Sequence, residues 1–193
     1  MINFKQWGVL ILLMFTSPLA MAVRGGDGIY VVFDAGRSIF VNSCKNRLAA
    51  YTSCKDFDFG NRFSFGKLVA DQTFAEIGYY DSGHSIKKGA GNISESIDSV
   101  EWQFSALRQF PIGNGRLSML GKLGVVHWEA TQQSPAFRIS ASGNEFLVGV
   151  GARYFLDKNN TIRILLESHK VGNNSMSWNG DVRFLSLGYL LEI

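Results

Sequence analysis

Alternation with a period of two dominates this chain. Its clearest instance is residues 182–193: Leu185, Leu187, Tyr189, Leu191 and Ile193 share one face, and Phe184, Ser186, Gly188, Leu190 and Glu192 share the other. That pattern is a strand with one strongly apolar face and one smaller, more polar face. It recurs over 28–38, 59–69, 73–82, 100–110, 116–130, 144–156 and 161–170, which makes eight expected strands. A final strand this apolar would leave an open edge that invites aggregation, and pairing it with the first strand removes that edge. The pattern therefore predicts a closed barrel sealed by residues 182–193.

The connections alternate as well. Long polar stretches are expected as loops at 39–58, 83–99, 131–143 and 171–180. Between them fall short turns at Ala70-Asp71-Gln72, at 111–115 and at 157–160. Asn114-Gly115 suits the left-handed positions of a tight hairpin, and Asp157-Lys158-Asn159-Asn160 is similarly supplied. Long loops on one side and tight turns on the other are the mark of an up-and-down membrane barrel.

The two faces decide between a soluble and a membrane barrel. The mid-strand ionisable residues Asp34, Arg62, Glu76, Lys122, Arg153, Arg163 and Glu167 share a face with Gly36, Gly66, Gly78, Gly124, Gly149 and Gly151. A narrow lumen needs small residues beside long charged ones, because side chains fill it completely. The opposite face is aliphatic and aromatic, where a charge at mid-bilayer would cost ~2–4 kcal/mol. A lipocalin-like carrier would reverse the two faces. The expected fold is thus all-β: an eight-stranded antiparallel up-and-down transmembrane β-barrel whose lumen charges pair into a complementary plug. Tyr79, Trp102, His127, Tyr154 and Tyr189 fall near strand ends on the apolar face, where interfacial girdles sit.

Composition changes this picture only at the edges. Residues 1–22 hold Lys5, an apolar run from Trp7 to Phe15 and an Ala20-Met21-Ala22 exit, so they read as a cleaved signal peptide, with the barrel domain expected over 23–193. A formal net charge of +3 without a basic run speaks against nucleic acid as a partner. Cys44 and Cys54, close together in an exported chain, are expected to form a disulfide. They have no nearby histidine to complete a metal site, and no cofactor is expected.

Four stretches, GIYVVFDAGRS at 28–38, NRFSFGKLVADQTFAEIGYYDSG at 61–83, RQFPIGNGRLSMLGKLGVVHWEA at 108–130 and LSLGYLLEI at 185–193, resemble the OmpA-like transmembrane-domain family of bacterial outer membrane β-barrels. The resemblance implies export through the general route and insertion by the barrel-assembly machinery. Outer membrane lipid and lipopolysaccharide would surround the barrel. Ser186, Gly188, Leu191 and Ile193 match the family's C-terminal insertion signal, which usually ends on phenylalanine. Family members pair lumen carboxylates with basic residues into a plug or gate, and Glu76, Lys122 and Arg163 match that pattern by position. Arg153 stands where a glutamate would be expected, so the pairing must differ.

The expected role is non-enzymatic, structural or surface-interacting, of the adhesion or colonisation type. Host or other surface ligands would be met through the two-cysteine loop and the Lys87-Lys88 loop. Two rival readings are a small gated pore and a lipid A deacylase-like hydrolase. The hydrolase would use Glu167, Ser168 and His169, but adjacent strand residues point to opposite faces, so Ser168 and His169 do not meet easily.

Overall fold

The computed structural model describes residues 28–44, 51–90, 94–113, 115–172, 176 and 178–193. The expected signal peptide at 1–22 and Asn114 of the second short turn lie outside the described residues. Nine strand segments are present among them: β1 (Ile29–Phe40), β2 (Tyr51–Lys55), β3 (Phe57–Ala70), β4 (Thr73–Gly89), β5 (Ser94–Ile112), β6 (Leu117–Gln133), β7 (Arg138–Phe155), β8 (Asn160–Val171) and β9 (Gly180–Glu192). Only Asp56 separates β2 from β3, and both pair with β4, β3 along 73–81 and β2 along 86–89. They form one interrupted wall strand. Eight antiparallel walls then close into a barrel, with β9 sealed against β1.

One row of register partners runs from Tyr154 through Ile162, Tyr189, Phe33, Phe63, Tyr79, Trp102 and His127 to Asn144. It returns to β7 ten residues from where it left. A stagger of that size on eight strands tilts them by about 40°, within the range that closes a small barrel. The five expected girdle residues all sit on this row. Tyr154 and Tyr189 lie at its short-turn end, and Tyr79, Trp102 and His127 at the other, with the Tyr79 and Trp102 rings edge to face at 5.2 Å. Phe65, Phe104, Val125, Phe146, Val150, Ile164 and Leu187 are exposed on the outer wall, which is where hydrocarbon-facing residues belong.

Two of the expected long loops are largely strand, and a third is partly so among the described residues. β4 continues to Gly89 and β5 begins at Ser94, so 83–99 is mostly a paired hairpin; β6 and β7 likewise extend to Gln133 and from Arg138. The stretch 39–58 contains β2 and the start of β3. Above the lipid belt water meets the outer wall, so the apolar-to-polar alternation fades while the backbone ladder continues. His84, expected in a loop, lies in β4 just after a register shift between Asp81 and His84. Gly83 there has φ +71°, a left-handed conformation that L side chains rarely adopt. The shift changes which parity faces inward, so Ser85 and Lys87 are buried beyond it whereas Ser82 is buried before it.

The interior is layered, with apolar residues on either side of the charges on the lumen face. On the long-connection side Phe40, Tyr80, Ile97, Val126, Trp128, Trp178 and Phe184 belong to a buried apolar cluster. On the short-turn side Tyr30, Val32, Phe74, Leu107 and Leu190 form a second. Charged residues lie between the two: Asp34 between Val32 and Phe40 on β1, Glu76 between Phe74 and Tyr80 on β4, Lys122 between Leu120 and Val126 on β6. An eight-stranded barrel is narrow enough for side chains to fill it, and apolar ones serve as well as polar ones where no charge needs a partner.

Candidate functional site in the barrel lumen

Strand parity sends Asp34, Arg62, Glu76, Lys122, Arg163 and Glu167 inward from β1, β3, β4, β6 and β8, and the strand tilt brings them to one level. Arg62 donates from Nε and Nη2 to Asp34 Oδ2 at 3.0 and 2.8 Å, and from Nη1 to Gln103 Oε1 at 3.0 Å and to Glu167 Oε2. Arg163 grips the same Asp34, Nε to Oδ1 at 2.8 Å and Nη2 to Oδ2 at 2.6 Å, while its Nη1 donates to Glu76 Oε2 at 2.6 Å. Lys122 Nζ lies 2.5 Å from Glu167 Oε1 and 3.4 Å from Glu76 Oε1. Three carboxylates thus meet three cations, and every side chain among them is at most 1% exposed.

A single buried pair seldom repays its desolvation, and additional hydrogen bonds on each group are what make such a cluster tenable. Two residues supply them whose role was not assigned from sequence. Tyr30 donates to Glu76 Oε2 at 3.1 Å, and Gln103 Oε1 accepts from both Arg62 and Lys122. Gln103 had one sequence signal, an amide on the inward parity of the fourth expected strand. Gly188 provides space: a Cβ there would collide with Asp34 Oδ1 and come within 3.0 Å of Arg163 Cγ.

Arg153 is not brought into this network. Its guanidinium lies in the short-turn cluster, 4.9 Å from the Phe74 ring centroid and 5.4 Å from that of Tyr30, with Nη1 3.4 Å from Gln109 Oε1. His169 is also separate, its Nε2 2.9 Å from Glu101 Oε1. Ser168 is paired with Arg183 in an outward row, and no serine hydroxyl is hydrogen-bonded to a histidine among the described residues. Nor is there any group of three or more histidine, cysteine or carboxylate side chains arranged to hold a metal ion among them.

Above the lipid belt the inner wall carries a second, smaller cluster. Lys87 Nζ lies 2.7 Å from Glu95 Oε1, which also accepts from Gln132 Nε2 at 3.0 Å, while Tyr51 donates to Glu95 Oε2 at 3.0 Å. Burial pushes the Glu95 carboxyl up, but the Lys87 ammonium and the Tyr51 and Gln132 donors outweigh it and hold the carboxyl below its ordinary value. Nearby, Cys44 and Cys54 form the disulfide that ties the exit of β1 to β2. Of the four residues expected to form a C-terminal insertion signal, Ser186 and Gly188 face the lumen, Leu191 faces outward, and the Ile193 amide donates to Ile29 O at 2.9 Å.

An apolar outer wall, a girdled belt and a filled lumen are those of a membrane barrel, and the sequence comparison agrees. The model of the outer membrane protein β-barrel domain matches residues 8–189. The chain belongs to this family. It is therefore an outer membrane β-barrel protein, located in that membrane. No curated protein sequence matches it. Among solved structures, neisserial surface protein A is similar with a TM-score of 0.62 at 15% identity, covering 88% of this chain and 99% of that one. The N-terminal β-barrel domain of OprF from Pseudomonas aeruginosa gives 0.55 at 13% identity, covering 86% and 100%. The outer membrane protein OprG of the same organism gives 0.53 at 13% identity, covering 89% and 100%. At these identities the likeness is one of fold.

Proposed function

We propose that this outer membrane barrel is a non-enzymatic, closed scaffold that presents its long-connection side to the outside. The observation that carries this reading is the layered lumen: a charged layer with matched signs, held between two apolar clusters that contain Trp128 and Trp178 on one side and Phe74 and Leu107 on the other. A path for ions would have to displace side chains at three levels. The structural features that would meet a surface ligand are the disulfide-tied β2 and the β4–β5 hairpin, which rise above the lipid belt.

Planar-bilayer conductance of the refolded barrel tests the closed lumen. Silence is expected from the wild type, and brief openings from Glu76→Ala and Arg163→Ala. Steady wild-type channels altered by either substitution would instead make it a gated pore. Cell binding that survives deletion of residues 86–97 would count against the hairpin as a contact. In biogenesis, residues 1–22 serve as the signal peptide, leaving 23–193 as the barrel, and Ser186, Gly188, Leu191 and Ile193 are the signal read by the barrel-assembly machinery. The mass of the purified mature chain checks the first point. Faster assembly of Ile193→Phe than of the wild type checks the second.

A further inference from the structure

Arg153 is fully buried, yet its Nε and Nη2 have no hydrogen-bond partner among the described residues. Those two N–H groups form one edge of the guanidinium, the fork that holds a carboxylate or other oxyanion through two parallel bonds. The same edge of Arg62 and of Arg163 grips Asp34. In Arg153 the rest of the group is occupied: the Phe74 and Tyr30 rings lie against it, and Nη1 meets Gln109. Ser118, the register partner of Arg153 on β6, is also fully buried, and its Oγ has no partner. No carboxylate forms an ion pair with Arg153 among the described residues. Arginine does not shed its proton in proteins, so this charge cannot be relieved by neutralisation, and the mid-lumen charges are already matched in sign.

We propose that the Arg153 fork, with Ser118 as a third donor, is an oxyanion-binding site at the short-turn end of the lumen. The ligand it fits is a carboxylate or a small inorganic oxyanion, whose geometry matches the planar fork through two parallel bonds. Two sources share this chemistry. One is a free anion from the compartment below the membrane. The other is a carboxylate of this chain, for which Glu192 is the candidate, since it lies on the inward parity of β9 as the register partner of Tyr30, whose ring lies against Arg153.

The test follows the Arg153 Nε–H by nuclear magnetic resonance in the refolded chain, labelled with 15N at arginine, with Arg153→Lys identifying the signal. Lysine keeps the charge and loses the fork. Sodium acetate and inorganic phosphate are titrated against sodium chloride at constant ionic strength. The expected result is a saturable shift of this signal alone, with affinity lowered about two- to tenfold in Ser118→Ala, the loss of one hydrogen bond. A silent wild type beside a responsive Glu192→Gln supports the fork with the chain's own carboxylate as its occupant. If neither protein responds to acetate or phosphate, the proposal is wrong.

Discussion

Among the described residues the barrel holds two inward-facing sets of lysine or arginine ion pairs, beside the separate His169–Glu101 contact, and the two sets differ in what they tie together. At mid-lumen, Arg62 reaches Asp34 and Glu167, and Arg163 reaches Asp34 and Glu76, so β1, β3, β4 and β8 are linked through side chains. Above the lipid belt, Lys87 and Glu95 are register partners on one hairpin. The first set sits behind an outer wall that faces hydrocarbon, the second behind one that faces water. Charges at mid-lumen have no solvent to fall back on, so each carboxylate there is held by more than one donor. At the hairpin a lost partner can be replaced by water. The mid-lumen set therefore supports the barrel as a whole, whereas the upper set supports one hairpin and the β2 and β6 segments beside it.

The sharpest way to break this contrast is Asp34→Asn, which keeps the shape of the side chain and removes the charge shared by two guanidiniums. Stranding a buried charge costs about 3–5 kcal/mol. Unfolding of the barrel in lipid vesicles by urea should shift by that amount, with all strands responding together. If only β1 loosens, the network is not a whole-barrel tie.

A smaller effect is expected at the seam the network spans. A Cβ at Gly36 would collide with Leu185 O on β9 and come within 2.7 Å of Ser186 Cα. Backbone atoms cannot swing away as a flexible side chain can, so Gly36→Ala must push β1 from β9 or distort both. Such overpacking costs about 1–3 kcal/mol. The folded fraction, read as the heat-sensitive mobility of the barrel on gels, should fall. An unchanged fraction would show that the mid-lumen pairs hold β1 in place without a tight β1–β9 ladder.

The same contrast marks how much was legible in the sequence. Parity sorts residues between two walls, so the outer belt from Phe33 to Leu187 and the closure of the barrel followed from alternation alone. Parity does not say which inward residues meet, because that depends on the stagger of all eight walls. Hence Tyr30 and Gln103 are not marked as partners of Glu76 and Arg62, and parity alone groups Arg153 with the other six charged residues, although the family resemblance marks its pairing as different. The inward apolar residues Tyr30, Val32, Phe184 and Leu190 lay on a face read as small and polar, since charges and glycines there were the stronger signal. Above the membrane alternation weakens because the outer wall meets water, so β4 beyond Gly83 and residues 138–143 of β7 read as loop. Gly83 compounds this by shifting the inward parity within a single strand.

The smallest expected effect sharpens the comparison at the hairpin. Glu95 has a folded-state pKa below its ordinary value of 4.5. A carboxyl lowered in this way contributes its stability above the ordinary value and loses it as pH falls through 4.5 toward the folded value. Losing the Lys87 and Gln132 bonds to one oxygen and the Tyr51 bond to the other should cost about 1 kcal/mol, part of it replaced by water. Amide hydrogen exchange, corrected for its intrinsic pH dependence, should therefore quicken at 86–89 and 94–97 between pH 6 and pH 4, while 75–79 of the same strand stays protected. In Lys87→Met most of that pH response should vanish, because the ion pair that titrates is already gone. Equal loosening of the tip and the middle would mean that the hairpin and the mid-lumen network open as one unit, and the division between them would fail.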